Sequence, residues 1–240
     1  MKLSDIEKQF EVIFPNGFHK IYDTGAMEWL ELPPDEFRKI RKKYDNDPKS
    51  FMMMNGEVEP LFFEEIPERA EELAEWLSWR AEDTGETLRK GIKLVPFAQN
   101  GAGDLYLFVY EGKSEPKIVL YYHDDYESPT LCFKDFDELM YYALLDALRW
   151  DEDINGKTWQ SHLDYLTGEY RAKITGKSKK ELSDDLEDLE RELMKNAPSI
   201  FNIVHSTVGR IITISAVVRE VQNQNACIIS AIQGTIYQNI

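Results

Sequence analysis

The chain is poor in cysteine, with two in 240 residues. Cys132 and Cys227 both lie within apolar runs. They read as small buried hydrophobes, not as a disulfide framework or a metal pair, and they suit a reducing compartment. Histidine is scarce too. His19, His123, His162 and His205 show no ligand spacing, so no metal and no cofactor is expected. The apolar run Ile211 to Val218 is far shorter than the ~20 residues that span a bilayer. Met1 to Glu7 lacks the apolar segment of a secretion signal. The expected location is cytoplasmic, with no membrane partner. No internal repeat stands at a fixed period.

Positive charge is in deficit. Lys and Arg number 28 against 44 Asp and Glu, a formal net charge of −16 with a sequence pI near 4.7. Such a field repels nucleic acid and favours a basic partner, although acidity also serves solubility alone. The imbalance is uneven. Residues 1–150 hold 18 bases against 31 acids, a balance of −13; residues 151–240 hold 10 against 13, a balance of −3. Apolar residues reach 42% and aromatics 12%, enough for a real core.

The pattern centres on Asn100-Gly101-Ala102-Gly103-Asp104. Leu105 to Tyr110 and Lys117 to Tyr122 are apolar runs flanking a turn-rich segment, so a glycine loop feeds a hairpin. Pro96-Phe97-Ala98 reads as the lead-in to that loop. Upstream, a short helix is expected over Leu3 to Phe14, then a turn at Pro15-Asn16-Gly17. Phe18, Ile21 and Tyr22 read as a strand start or as core cover. Pro34-Asp35-Glu36 opens a helix with Phe37, Ile40 and Tyr44 on one stripe and a solvated basic face. Asn55-Gly56 between Phe51–Met54 and Leu61–Phe63 suggests a turn between strands. A helix runs from Pro67 to Thr84-Gly85 on the stripe Ala70, Leu73, Ala74 and Leu77, with Trp76 and Trp79 beside it.

Phe133 to Leu148 is a further helix. A boundary falls near Asp151 to Gly156. Trp159, Leu163, Leu166 and Tyr170 form one helical stripe. Ser178 with Glu181 is a capping box, opening a helix with Leu182, Leu186, Leu189 and Leu193 at heptad spacing. That seam suits packing on the preceding domain better than a coiled coil. Beyond Glu220 no charge remains, and Ile200–Val204, Arg210–Val218 and Ala226–Tyr237 read as strands. Left unpaired they would aggregate, so they belong in their own sheet, in the first domain's sheet, or in a partner's, a homo-oligomer included.

Residues about 25 to 148 resemble the SUKH superfamily. The likeness rests on Trp29, on Leu32-Pro33-Pro34-Asp35 before a helix, and on Pro96-Phe97-Ala98. It rests also on Gly101-Ala102-Gly103-Asp104-Leu105-Tyr106, on Ile118 to Asp124, and on Phe133 with Phe136. Asn55-Gly56-Glu57 departs from the Asn-Gly-Gly often seen in such proteins. The resemblance implies an α+β fold, an antiparallel-rich sheet flanked by helices, over a domain of residues 1–150. Residues 151–240 would be a C-terminal extension, with helices at 157–195 and a β-rich tail at 200–240. Members are known as bacterial immunity proteins of polymorphic toxin systems and as fungal cell-wall regulators. The likeness implies a toxin domain as partner, commonly a nuclease, and carries over no catalytic residues. Gly101, Gly103 and Asp104 match its motif and read as structural.

The residues themselves offer no strong catalytic pattern. No Gly-Lys-Ser/Thr or dinucleotide fingerprint follows the glycines. Glu64 and Glu65 with Asp104 lack a known geometry, and no nucleophile elbow surrounds Ser206 beside His205. Eight acids and one base crowd residues 57–75. The expected partner-binding face is therefore Glu59, Glu64, Glu65, Glu68, Glu71, Glu72, Asp124 and Asp125, meeting a basic toxin whose active site is occluded. The competing readings are a regulatory scaffold and a hydrolase working around Asp104 and His123.

Overall fold

A computed structural model describes residues 1–45, 47, 50, 57–112, 114–124, 131–150, 154–195, 201–203, 210–218 and 229–238. Its centre is a five-stranded antiparallel sheet of β1 (Glu59–Pro60), β3 (Ile92–Gln99), β4 (Leu105–Glu111), β5 (Lys117–Tyr121) and β6 (Cys132–Phe133), in that order. A short β2 (Glu86–Leu88) lies outside it. The α+β expectation holds.

Both faces of the sheet are covered. Leu105, Leu107 and Val109 pair with Tyr121, Val119 and Lys117 and share one face. Helix α4 (Ile66–Thr84) packs there, its Trp76 stacked on Tyr121 at 6.5 Å. Tyr106 and Phe108 face the other way. Phe108 meets Phe14, Phe18 and Phe136, which brings in α2 (Asn16–Tyr22) and α5 (Phe136–Ala147). Burial on both faces explains why β4 reads as a continuous apolar run.

Pro96 lies inside β3, not in a lead-in loop. Proline lacks the N–H that a ladder needs. The register shifts there: Pro96 pairs with Leu107 and Ala98 with Tyr106, leaving Phe97 as an extra residue. Phe97 stacks on Phe108 at 3.9 Å. The bulge absorbs the proline and aims a ring into the aromatic core. The glycine loop thus joins two strands, β3 and β4, and a second hairpin turn joins β4 to β5.

The N-terminal segment departs from expectation. Helix α1 spans only Leu3–Phe10 and ends at Glu11, which adopts a left-handed φ of 51°. Pro15-Asn16-Gly17 starts α2 and makes no free turn, and Phe18 and Ile21 are buried helical residues, not a strand. Proline fits the position before a first helical turn, where no N–H donor is missed. Helix α3 (Pro34–Asp45) buries Phe37 and Tyr44, but Ile40 stays 41% exposed. Leu61 and Phe63 are buried outside any strand. The turn expected at Asn55-Gly56, with Phe51 to Met54, lies outside the described residues, as does Cys227. Cys132 is buried in β6, and burial pushes its thiol up to about 11.

Helix α5 starts at Phe136, because Phe133 is claimed by the β5–β6 ladder. The Asp135 carboxylate accepts from the Glu138 amide at 2.9 Å and caps it. Trp159, Leu163, Leu166 and Tyr170 are all buried, but only Trp159 and Tyr170 are helical, on the short α6 (Lys157–His162) and α7 (Gly168–Ile174); Leu163 and Leu166 lie in the break between them. Helix α8 (Lys179–Lys195) has the expected box: the Ser178 amide donates to Glu181 at 2.8 Å and the Glu181 amide to Ser178 Oγ at 3.3 Å. Leu182, Leu186 and Leu193 are buried in the same continuous core as the sheet, and α8 packs on α5. Of the tail, β7 (Phe201–Ile203) pairs with β2, and β8 (Arg210–Val218) pairs with β9 (Ile229–Gln238).

Candidate functional site

The loop at Asn100–Asp104 is built around one buried amide and one buried acid. Gly103 has φ +91°, a conformation side chains resist; Gly101 is not in that region. Asn100 Oδ1 accepts from the amides of Ala102 and Asp104 at 3.0 and 2.9 Å. Asn100 Nδ2 donates to Asp104 Oδ2 at 2.9 Å. The loop amides therefore go to Asn100, a residue to which the sequence pattern assigned no role of its own. Asp104, 3% exposed, reaches across to β5 instead. Its Oδ1 accepts from the His123 amide at 3.2 Å and from His123 Nδ1 at 2.8 Å.

His123 is held from its other side by Trp76 of α4, 5.2 Å between ring centres. One ligand atom each from Asp104, His123 and Asp124 lies within 4.8 Å of the others. Asp104 spends both oxygens on the loop and on His123, so the chemistry it performs is bracing: it ties the glycine loop to the end of β5.

Helix α4 stands beside this brace. Ala70, Leu73, Leu77 and Ala81 are buried, and Gly85 ends the helix at φ 72°. The opposite stripe faces solvent. Glu64, Glu68, Glu71 and Glu75 are exposed. Two of the expected acids have local duties. Glu65 is the N-cap and accepts from the Phe62 amide at 3.3 Å, and Glu72 pairs with Arg69 at 2.6 Å. Glu59, exposed, pairs with Gln99 next to the glycine loop. Glu57 Oε2 approaches the Gly101 amide at 3.4 Å. Asp124 is exposed just past His123, hence alongside α4 through Trp76. Asp125 lies outside the described residues, as do His205 and Ser206.

The stripe continues further than residues 57–75. Glu82 and Asp83 are exposed, and Trp79 among them is 52% exposed. Trp79 stands off the apolar stripe by helical spacing, and that offset was the available signal. The other base on the helix, Arg80, is turned to Glu86 at 2.6 Å. Among the described residues Glu68, Glu71, Glu75, Glu82 and Asp83 have no ion-pair partner.

A family model described as SMI1 / KNR4 family (SUKH-1) matches residues 2–141. The chain belongs to this family. The SUKH-1 match takes in the N-terminal helices, the whole sheet, the loop brace and α4, and stops within α5. Neither a curated protein nor a solved structure matches the chain. Among the described residues no helix is long and apolar enough to cross a membrane.

Proposed function

We propose that this SUKH-1 protein is a non-enzymatic immunity protein that neutralises a basic toxin domain by covering its active site. The observation that carries the reading is the family match over residues 2–141 together with an uncompensated acidic stripe on α4. Exposed ion pairs contribute at most ~1 kcal/mol to a fold, so five unpaired carboxylates on one face are no stability device. Facing a cationic surface they would speed encounter and fix orientation. The partner face comprises Glu59, Glu64, Glu68, Glu71 and Asp124, with Glu65 and Glu72 contributing charge while serving the helix. In the same proposal residues 1–150 form the binding body and residues 151–240 an extension whose helices brace α5. The hydrolase reading is less favoured, because Asp104 is committed to the loop.

The test is to isolate the tagged chain from its native host and identify the polypeptide bound to it. That polypeptide is then expressed in a naive cell with and without this chain. Relief of toxicity is the expected result. A non-toxic partner, or toxicity unrelieved by a bound chain, overturns the immunity reading.

A further inference from the structure

Trp79 is a large aromatic exposed in the middle of a charged stripe. Its helical neighbours at i−4, i+3 and i+4 are Glu75, Glu82 and Asp83, all exposed and unpaired among the described residues. Positions three and four apart share one helix face, so carboxylates border the indole along the helix on both sides. An apolar partner group laid on Trp79 would desolvate those carboxylates without replacing their hydrogen bonds, which is costly. A guanidinium meets both demands. Its plane stacks on the indole, and its N–H edge reaches flanking carboxylates. The nearest bases on the helix do not occupy this place, because Arg69 is bound to Glu72 and Arg80 to Glu86. Trp76, one turn back, is packed on His123 and Tyr121. The helix is therefore anchored below while Trp79 stays presented.

We infer that Trp79, with Glu75, Glu82 and Asp83, forms an arginine-accepting subsite at which a basic polypeptide partner anchors to α4. This rests on α4 being the partner face and names the residue that would carry the binding energy there. Tryptophan and arginine are the residue types that dominate such contacts.

The probe is the peptide acetyl-Arg-Gly-Arg-Gly-Arg-amide, titrated into the full chain while the indole N–H signals of its five tryptophans are followed by NMR. The signal lost in Trp79→Phe identifies Trp79. The expected result is a saturable shift centred on that signal. Trp79→Leu should weaken binding roughly three- to thirtyfold, the range of a cation–π contact. Glu75→Gln with Glu82→Gln should weaken it comparably. Glu187→Gln with Glu192→Gln, removing two exposed acids of α8, should not. A Trp79 signal that stays still while others move overturns the subsite, and so does equal weakening by the α8 pair. The peptide needs no toxin, so the two ideas fail separately. If the peptide seats on Trp79 but an identified toxin binds Trp79→Leu unchanged, the subsite stands and α4 as the toxin face falls. If the toxin binds α4 but the peptide ignores Trp79, the subsite falls.

Discussion

Helices α4 and α8 carry nearly the same charge and use it in opposite ways. Helix α4 has six acids and two bases; α8 has seven and four. On α8 four of the seven acids are engaged. Asp185 meets Lys177, Asp188 meets Arg191, and Glu190 meets Arg149, while Glu181 closes the cap on Ser178. Its leucines lie against α5. On α4, among the described residues, only Glu72 has a partner, and a tryptophan stands exposed among the remaining acids. Net charge therefore says little about purpose. What distinguishes the helices is whether the chain supplies its own counter-charges. In the proposed reading, α8 spends much of its charge inside the fold, whereas α4 leaves its charge for a partner.

The contrast can be broken first through stability. Leu186→Ala on α8 removes a side chain that is 1% exposed, and should cost about 2–5 kcal/mol by large-to-small substitution in a core. Glu71→Gln on α4 should stay within ~0.5 kcal/mol, as surface changes do. Urea melts of the two variants check this. Equal losses would mean that α4's face is structural after all.

A second test uses pH. His162 on α6 is fully buried, with Nε2 3.1 Å from the Ser50 carbonyl. Burial lowers its pKa from 6.5 to about 4. The folded chain thus holds it neutral where the unfolded chain protonates it. Stability present above pH 6.5 is lost as pH falls toward 4, on the order of 3 kcal/mol by linkage. Asp146, also buried, is shifted upward by desolvation and works in the opposite direction. The comparison is therefore between wild type and His162→Gln, which share Asp146. The wild type should lose more stability between pH 6.5 and 4, measured by denaturant midpoint. Parallel profiles would show that His162 does not set the acid sensitivity of the extension.

A third concerns the brace beside α4. Asp104→Ala strips the partner from the His123 amide and from Asn100. It should cost about 1–3 kcal/mol, the penalty for buried groups left unpaired. It should also raise hydrogen exchange at Gly101 to Asp104 while leaving α8 protected. Exchange unchanged at the loop would refute the bracing role.

The smallest effect is on the fold but not on binding. Reversing Glu68, Glu71, Glu75 and Glu82 to lysine should change stability little, yet slow association with a basic partner about tenfold or more at low salt.

Much of this was legible in the sequence, unevenly. Helix α4, the Ser178 box and the heptad leucines announced themselves, because spacing and caps are local. The strand through Pro96 did not, because a bulge that accommodates proline is decided by the neighbouring strand. Phe133 looked helical until β5 offered it a ladder. The break after His162 was hidden, because both short helices bury residues at helical spacing. At the site, the acids of α4 were visible as composition. Which of them were already spent, Glu65 on the Phe62 amide and Glu72 on Arg69, was not. Trp79 was seen but unplaced, because exposure depends on what packs nearby.

The most direct test of the central claim is association kinetics with the polypeptide identified from the native host. Wild type is compared with four charge reversals on α4 and with four on α8, each at two salt concentrations. If α4 is the docking face, the α4 set slows association and flattens its salt dependence while the α8 set leaves both near wild type. Equal effects from the two helices, or none from α4, would contradict it.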